Sequence, residues 1–173
     1  NNVCEVTLLG DIVRNPTRRL MLLDAWKHYY NTPTTLQGYI SYVQRAGCNL
    51  DDVPMAFRTP DVYLAFVQRN GLRLQFIPKA EHTPELCMAA VHNSGQALQL
   101  VPTYFRRSDI CLTAVQSHGS ALQCVPTNHK TPQLCMVAVQ QDGAALQFVP
   151  LIHKTPQLCF TAIQQNPLAI QYV

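Results

Sequence analysis

Charged side chains are scarce in this chain of 173 residues. They make up 13% of the sequence, and the formal net charge is only +3. Such a weak positive charge argues against a nucleic-acid partner, because proteins of that class cluster Lys and Arg to hold phosphates. Long apolar runs are missing as well, since Gln, Pro, Gly, His or Arg interrupts every stretch before it is long enough to cross a bilayer. The apolar fraction of 47% instead indicates one packed domain with a sizeable core.

The spacings that carry common catalytic chemistry are also missing. There are seven cysteines but no C-x-x-C pair, and none of the six histidines has the H-E-x-x-H or H-x-E spacing of zinc hydrolases and deaminases. The remaining catalytic alternative is a nucleophile pair formed in space, with Cys111 or Cys124 beside His118 or His129. A catalytic cysteine needs an exposed pocket that favours the thiolate, whereas the pattern places these cysteines in the core. The sequence therefore predicts no catalytic residue, no metal site and no cofactor.

What the chain has in abundance is repetition. Aligning V-Q-x-x-G and V-P gives an ungapped period of 24 residues from residue 35 onwards. Five complete units and a truncated sixth follow this period, which predicts a repeat architecture. The units are 35–58, 59–82, 83–106, 107–130, 131–154 and 155–173.

Each unit has the pattern of two short helices. Thr131 followed by Pro132 is typical of a helix start, since the hydroxyl caps free N–H groups and proline fits the first turn. Gly143 is predicted to end the first helix in the left-handed conformation, and Pro150 to stop the second. Helical spacing places these apolar residues of the first helix on one face: Leu134, Cys135, Ala138 and Val139.

A hairpin of this size cannot bury both of its helices alone, so copies must stack. The predicted fold is all-α, an α-solenoid of stacked 24-residue helix-turn-helix repeats over residues 35–173. Residues 1–34 do not match the repeat, and 16–31 (PTRRLMLLDAWKHYYN) has the pattern of one longer amphipathic helix. We interpret residues 1–34 as an N-terminal capping helix or the end of a preceding domain; the alternative is a partner-docking helix built on Trp26. Because the sixth unit stops at Val173, one residue before the recurring proline, we expect the natural protein to continue.

Four cysteines occupy one slot of the first helix at intervals of 24 residues: Cys87, Cys111, Cys135 and Cys159. Neighbouring helices lie about 8–10 Å apart, which is too far for a disulfide or for a shared zinc ion. We therefore predict that these residues are buried packing residues. So many unpaired cysteines indicate a reducing compartment.

The segments AVHNSGQALQLV (90–101), AVQSHGSALQCV (114–125) and AVQQDGAALQFV (138–149) resemble a known helical repeat. That repeat has the pattern A-V-x-x-N-G-x-A-L, has no known function, and occurs in secreted effectors of intracellular bacterial pathogens. The family follows its second helix with acidic and small residues, whereas this chain has V-P-x-x-x-x-T-P. The resemblance covers residues 35–173 and implies a scaffold or host-facing role, with secretion into a host cytosol. It supplies no catalytic residue.

The last slot of each complete unit is basic and gives the candidate binding site. Stacking places these residues in a row along one edge, with Arg107 adjacent: Arg58, His82, Arg106, Lys130 and Lys154. Such a row suits an acidic or phosphorylated protein segment or a phosphoinositide headgroup. The alternative interpretation is a set of solvated cations at helix ends, favoured by the helix dipole.

Two series of glutamines also recur with the repeat. One lies in the second helix (Gln75, Gln99, Gln123, Gln147 and Gln171), and the other lies near the end of the first (Gln44, Gln68, Gln116, Gln140 and Gln164, with His92 once). We favour a structural role, as buried or half-buried amides that bond backbone between units. The functional alternative is a polar stripe that binds an extended peptide.

Together these features predict a non-enzymatic protein–protein interaction module that binds a host or cognate protein. One alternative is the substrate-recognition part of an effector enzyme whose catalytic domain lies outside these residues. The other is a module that recruits the protein to phosphoinositides.

Overall fold

The structure, a computed structural model, describes residues 33–45 and 47–173. The chain divides into two compact parts, Asn1–Tyr39 and Ile40–Val173. The amphipathic helix predicted over 16–31, with Trp26, lies outside the described residues. The part of the chain that the structure describes contains helices and no strands, and the helices stack as predicted. The prediction of an all-α repeat fold is therefore confirmed.

One α-helix marks each of the six repeat units in the described ranges. They are α1 (Leu36–Val43), α2 (Pro60–Arg69), α3 (Pro84–Asn93), α4 (Ser108–Ser117), α5 (Pro132–Gln141) and α6 (Pro156–Gln165). The predicted N-caps form at Thr83, Thr131 and Thr155, whose hydroxyl oxygens accept a backbone N–H three residues on at 3.2–3.3 Å. Thr59 makes no such bond, and Arg107 stands in this slot before α4.

The second helix of each unit is a 3₁₀ helix, tighter than an α-helix. Five of these helices have six residues: Gly71–Phe76, Gly95–Leu100, Gly119–Cys124, Gly143–Phe148 and Pro167–Tyr172. The corresponding helix of the first unit is Leu50–Asp52.

A third helical piece was not predicted from the sequence. The recurring proline ends the 3₁₀ helix and then caps a single 3₁₀ turn, which we call the connecting turn. The connecting turns are Met55–Phe57, Lys79–Glu81, Thr103–Phe105, Thr127–His129 and Leu151–His153.

The stack has two layers and one core. From the second unit onwards, each α-helix packs on the α-helix of the next unit, and the 3₁₀ helices do the same. The core lies between the two layers and repeats with the sequence, so that the leucines at 98, 122 and 146 are all fully buried. The face predicted for α5 is buried as well: Leu134, Cys135, Ala138 and Val139.

The glycine at the junction of the two helices has a different role from the predicted one. Gly143 and its equivalents Gly71, Gly95 and Gly119 do not have a positive φ; among the described junction glycines, Gly47 of the first unit is the one that does. A Cβ on Gly143 would instead overlap the carbonyl oxygen of Ala162 in the next unit, and Gly71, Gly95 and Gly119 face the same obstacle. Glycine is therefore required here because two backbones approach closely, and the prediction of a left-handed helix end is wrong.

Side chains at the ends of the α-helices join neighbouring units by hydrogen bonds to backbone. Asn93 donates from Nδ2 to the Gln68 carbonyl (2.8 Å) and accepts at Oδ1 from the Gly71 N–H (2.8 Å). Gln165 Nε2 donates to the Gln140 carbonyl at 2.7 Å. These bonds satisfy carbonyl groups that a helix end leaves without an intrahelical partner. Among the residues described, no helix has the length and hydrophobicity needed to cross a membrane.

Candidate functional site

The side chains predicted to form a basic row donate hydrogen bonds to backbone carbonyls. Arg58 Nε donates to the Val53 carbonyl and Arg106 Nε to the Val101 carbonyl, each at 2.8 Å. In both cases the acceptor lies five residues earlier, at the end of the 3₁₀ helix of the same unit. The cation therefore caps that helix end, where the helix dipole favours positive charge.

His82 occupies the same slot and makes the same contact as a buried residue, with 7% of its surface exposed. Its Nε2 lies 3.1 Å from the Ile77 carbonyl, again five residues earlier. Because a carbonyl only accepts, Nε2 carries the proton. The Nδ1 atom is buried and has no hydrogen-bond partner among the residues that the structure describes.

Three members of the row also tie one unit to the next. Arg106 donates to the Cys124 carbonyl at 2.8 Å, Lys130 donates to the Phe148 carbonyl at 3.0 Å, and Lys154 donates to the Tyr172 carbonyl. Each acceptor lies 18 residues further along the chain. The row thus stabilises the stack, and its role in partner binding stays a prediction.

Arg107 stands apart from the row. It precedes α4 and pairs with Asp109 at 3.1 Å, with both side chains exposed. The Ile110 backbone N–H, together with Arg107, holds the pKa of the Asp109 carboxyl below its usual value. Arg107 is therefore a solvent-exposed ion-pair residue, and the structure does not bring it into the grooves described next.

Both glutamine series are exposed, so the prediction of buried or half-buried structural amides is wrong. The exposed glutamines of the 3₁₀ helices are Gln75, Gln99, Gln123, Gln147 and Gln171. The α-helix series is exposed in the same way, including His92. A burial argument fails here because each series faces outwards from its own layer.

Beside the 3₁₀ glutamines lie two recesses that are related by one repeat. The first, of about 500 Å³, is lined by Gln75, Lys79, His82, Gln99, Tyr104 and Arg106, among others. The second, of about 570 Å³, is lined by Tyr104, Arg106, Gln123, Cys124, His129 and Lys130, among others. Tyr104 and Arg106 belong to both, so the two recesses are neighbours.

A smaller recess of about 130 Å³ joins the first two along the 3₁₀ helices. It contains Gln99, which also lines the first recess, and Gln123, which also lines the second. We call these three adjoining recesses the glutamine groove, defined by these residues: Gln75, Lys79, Gln99, Tyr104, Arg106, Gln123 and Lys130. No Asp or Glu lines any of the three recesses.

The groove is lined by residues of three connecting turns, Lys79–Glu81, Thr103–Phe105 and Thr127–His129, and the connecting turns carry side chains that differ from unit to unit. Their first two residues are exposed in every unit, and include Tyr104, Leu151 and Ile152 with exposed fractions of 69%, 81% and 82%. The corresponding residues of another turn are Lys79 and Ala80. Sequence reasoning missed this surface, although one signal was available: the turns vary while the core slots beside them repeat.

The four recurrent cysteines are buried and free, as predicted. Burial raises the pKa of Cys87 and of Cys111 to about 11, and it raises the pKa of Cys135 as well. Cys111 donates its thiol proton to the Arg106 carbonyl at 3.5 Å, and the hydrogen bonds of His129 and His118 go to serine hydroxyls. Such thiols are poor nucleophiles because the thiolate is the reactive form.

Comparison with known proteins finds similarity in the middle of the stack. Residues 107–154 match a family model described as a domain of unknown function (DUF4116). The matched segment begins and ends at unit boundaries and contains two units, 107–130 and 131–154. Neither the curated proteins nor the solved structures gave a match.

Proposed function

We propose that the repeats form a non-enzymatic protein-interaction module whose partner lies along the glutamine groove and the connecting turns. The observation that carries this proposal is that the core positions of the units repeat while some exposed positions vary. Core positions keep nearly the same residue in successive units, whereas the pair of exposed residues that begins each connecting turn is different in every complete unit, although Ala56 recurs as Ala80 and Thr103 as Thr127. A regular frame that displays different side chains at regular intervals is suited to the recognition of another protein chain.

Two further observations support a binding role over catalysis by these residues. The cysteines in the core have raised pKa values, which disfavours the thiolate that a nucleophile requires. The cations that a phosphate clamp would use, Arg106 and Lys130, already donate to backbone carbonyls. For the same reason a protein partner is favoured over phosphoinositide recruitment.

The setting of this function is part of the proposal. The sequence resembles repeats of secreted bacterial effectors, which favours a host protein as the partner. Six cysteines are described and none forms a disulfide, which suits a reducing compartment such as a host cytosol. A catalytic domain elsewhere in the natural protein is compatible with this role, since the repeats would then select its substrate.

The test is affinity capture from a eukaryotic lysate with quantitative mass spectrometry, using three baits. They are the wild-type chain, Tyr104→Ala in the groove, and Leu112→Ala on the exposed side of α4. We expect a protein that wild type and Leu112→Ala retain and that Tyr104→Ala loses. A set of captured proteins that is the same for all three baits would contradict the proposed surface.

A further inference from the structure

The glutamine groove is lined by cations and by no carboxylate. Its cations are Lys79, Arg106 and Lys130. Arg106 and Lys130 bond neutral carbonyls, which leave the full positive charge in place. Lys79 is exposed and makes no hydrogen bond or ion pair with the described residues. The two ion pairs of the described chain, Arg58–Asp51 and Arg107–Asp109, lie outside the groove. The complementary ligand is therefore anionic.

The shape of the groove selects an extended ligand. Its two larger recesses repeat at the pitch of one unit, which for packed helices is about 8–10 Å. A polyproline-II chain advances about 3.1 Å per residue, so three residues span about 9 Å. Side chains three positions apart would therefore enter neighbouring recesses, while the two residues between them would pass Tyr104, which borders both.

The glutamines provide the remaining element of recognition. A carboxamide both donates and accepts hydrogen bonds, which is the pattern that an extended peptide backbone also offers. Gln99 and Gln123 are exposed, one unit apart, and line the small recess between the larger two. They can hold backbone while the cations attract side chains. A phosphate clamp has different needs, since it uses convergent free N–H donors. Arg106 already uses three of its five donors on carbonyls, and Lys130 uses one of its three.

We propose that the glutamine groove binds an extended acidic protein segment with acidic residues three positions apart, one near each large recess. This inference rests on the proposed interaction function and adds the class and spacing of the ligand. The acidic side chains lie near Lys79 and Arg106 in one recess and near Arg106 and Lys130 in the next. The amides of Gln99 and Gln123 bond the backbone between them, and Tyr104 packs on the intervening residues.

The test uses fluorescein-labelled peptides of about twelve residues and fluorescence anisotropy with the whole chain. One peptide carries Glu at every third position among Pro, Ala and Ser, a second has the same composition with its glutamates clustered, and a third replaces Glu by Lys. We expect the spaced acidic peptide to bind about tenfold more tightly than the clustered one and more weakly as salt rises. No binding of the Lys peptide is expected.

The variants separate groove binding from general charge. Lys79→Glu and Arg107→Glu change the net charge equally, and both replaced side chains are exposed, but only Lys79 lines the groove. Lys79→Glu should weaken binding of the spaced peptide about tenfold, and the double variant Gln99→Ala with Gln123→Ala should weaken it severalfold. Arg107→Glu should have less than a twofold effect. Equal losses for Lys79→Glu and Arg107→Glu would overturn the proposal.

Two further outcomes would also overturn it. In the first, a partner protein is captured in a way that depends on Tyr104, but no acidic peptide binds measurably. The proposed interaction function would then be supported, and the proposed acidic ligand would be wrong. The other is binding of vesicles that contain a phosphoinositide, lost in Lys79→Glu, without peptide binding. In that case the groove would be a lipid site, and the protein-interaction function would fail with it.

Discussion

Replacing Gly119 by alanine tests the way in which neighbouring units approach each other. A Cβ at this position would overlap the carbonyl oxygen of Ala138 and would lie 2.9 Å from Asp142 Cβ and 3.0 Å from Asp142 N. None of these atoms belongs to the flexible end of a side chain, so relief requires movement of the α5 backbone. The affected carbonyl also accepts the Asp142 N–H at 2.9 Å.

The sign of the change in stability shows whether glycine is needed for close backbone approach or for its local conformation. Gly119 lacks a positive φ, so alanine fits the local backbone and would stabilise by about 0.4–1 kcal/mol through the unfolded chain if nothing lay nearby. Forcing atoms into a packed interior costs about 1–3 kcal/mol and sometimes more. Because the obstacle is backbone, we expect the upper part of that range, a net loss of about 2–3 kcal/mol.

The measurement is urea unfolding followed by circular dichroism at 222 nm. With a slope of about 2 kcal/mol/M, in the middle of the usual range for urea, a loss of this size lowers the midpoint by about 1–1.5 M. Two control variants accompany this measurement. The first is Gly47→Ala, at a glycine with φ +77° and open space around it; its free energy of unfolding should fall by about 1–2 kcal/mol because of backbone conformation alone. Adding Ala138→Gly should not rescue Gly119→Ala, since the clash is with a carbonyl. An unchanged or raised midpoint for Gly119→Ala would refute the argument.

Three other predictions concern the cations and the thiols. Arg106→Ala should destabilise the stack by about 2–3 kcal/mol, since three carbonyls lose a charged donor, while Arg107→Ala should change urea stability by less than about 0.5 kcal/mol. In the native protein at pH 8, a thiol reagent such as DTNB should label half-buried Cys124 at least tenfold faster than buried Cys111, and equal rates would contradict the assigned burial. Burial raises the pKa of Cys87 and Cys111 in the folded protein from 9.0 to about 11. The contribution of these two thiols to stability should therefore be complete below pH 9 and be lost as the pH rises to about 11. A urea midpoint that is the same at pH 8 and at pH 10.5 would contradict this prediction.

The sequence predicted the parts of the fold that depend on local chemistry and on period. Thr131 and Pro132 start α5, and the buried face of that helix contains Leu134 and Cys135, as expected. These features follow from capping and from the 3.6-residue period, both of which act within a few residues. Repetition then fixed the stacking, because an identical unit offers an identical apolar face.

The features that the sequence did not predict depend on the backbone of a neighbouring unit. Gly143 has an ordinary backbone conformation, and the need for glycine there arises from the Ala162 carbonyl. The glutamines were expected to be buried or half-buried and to bond backbone between units, yet residues such as Asn93 and Gln165, one position further along their helices, make the bonds between units. Adjacent residues of an α-helix point in directions about 100° apart, so only one of two adjacent polar residues faces the neighbouring unit. Because polar residues recur at both positions, the sequence does not show which one it is.

The candidate site also depends on contacts with the backbone of a neighbouring unit, and this affects how variants of the site are interpreted. The side chains of the basic row bond backbone carbonyls, and for Arg106, Lys130 and Lys154 one acceptor lies 18 residues ahead, which was not identifiable from the sequence. Arg106 therefore serves two purposes: it joins units, and its charge faces both large recesses. A substitution of Arg106 that abolishes binding would reflect either loss, so it carries little information by itself. Lys79 is the groove cation without such a bond, and its replacement changes the charge of the surface while the stack stays intact. Binding and stability thus separate at Lys79, and the functional argument depends on that residue more than on the larger row.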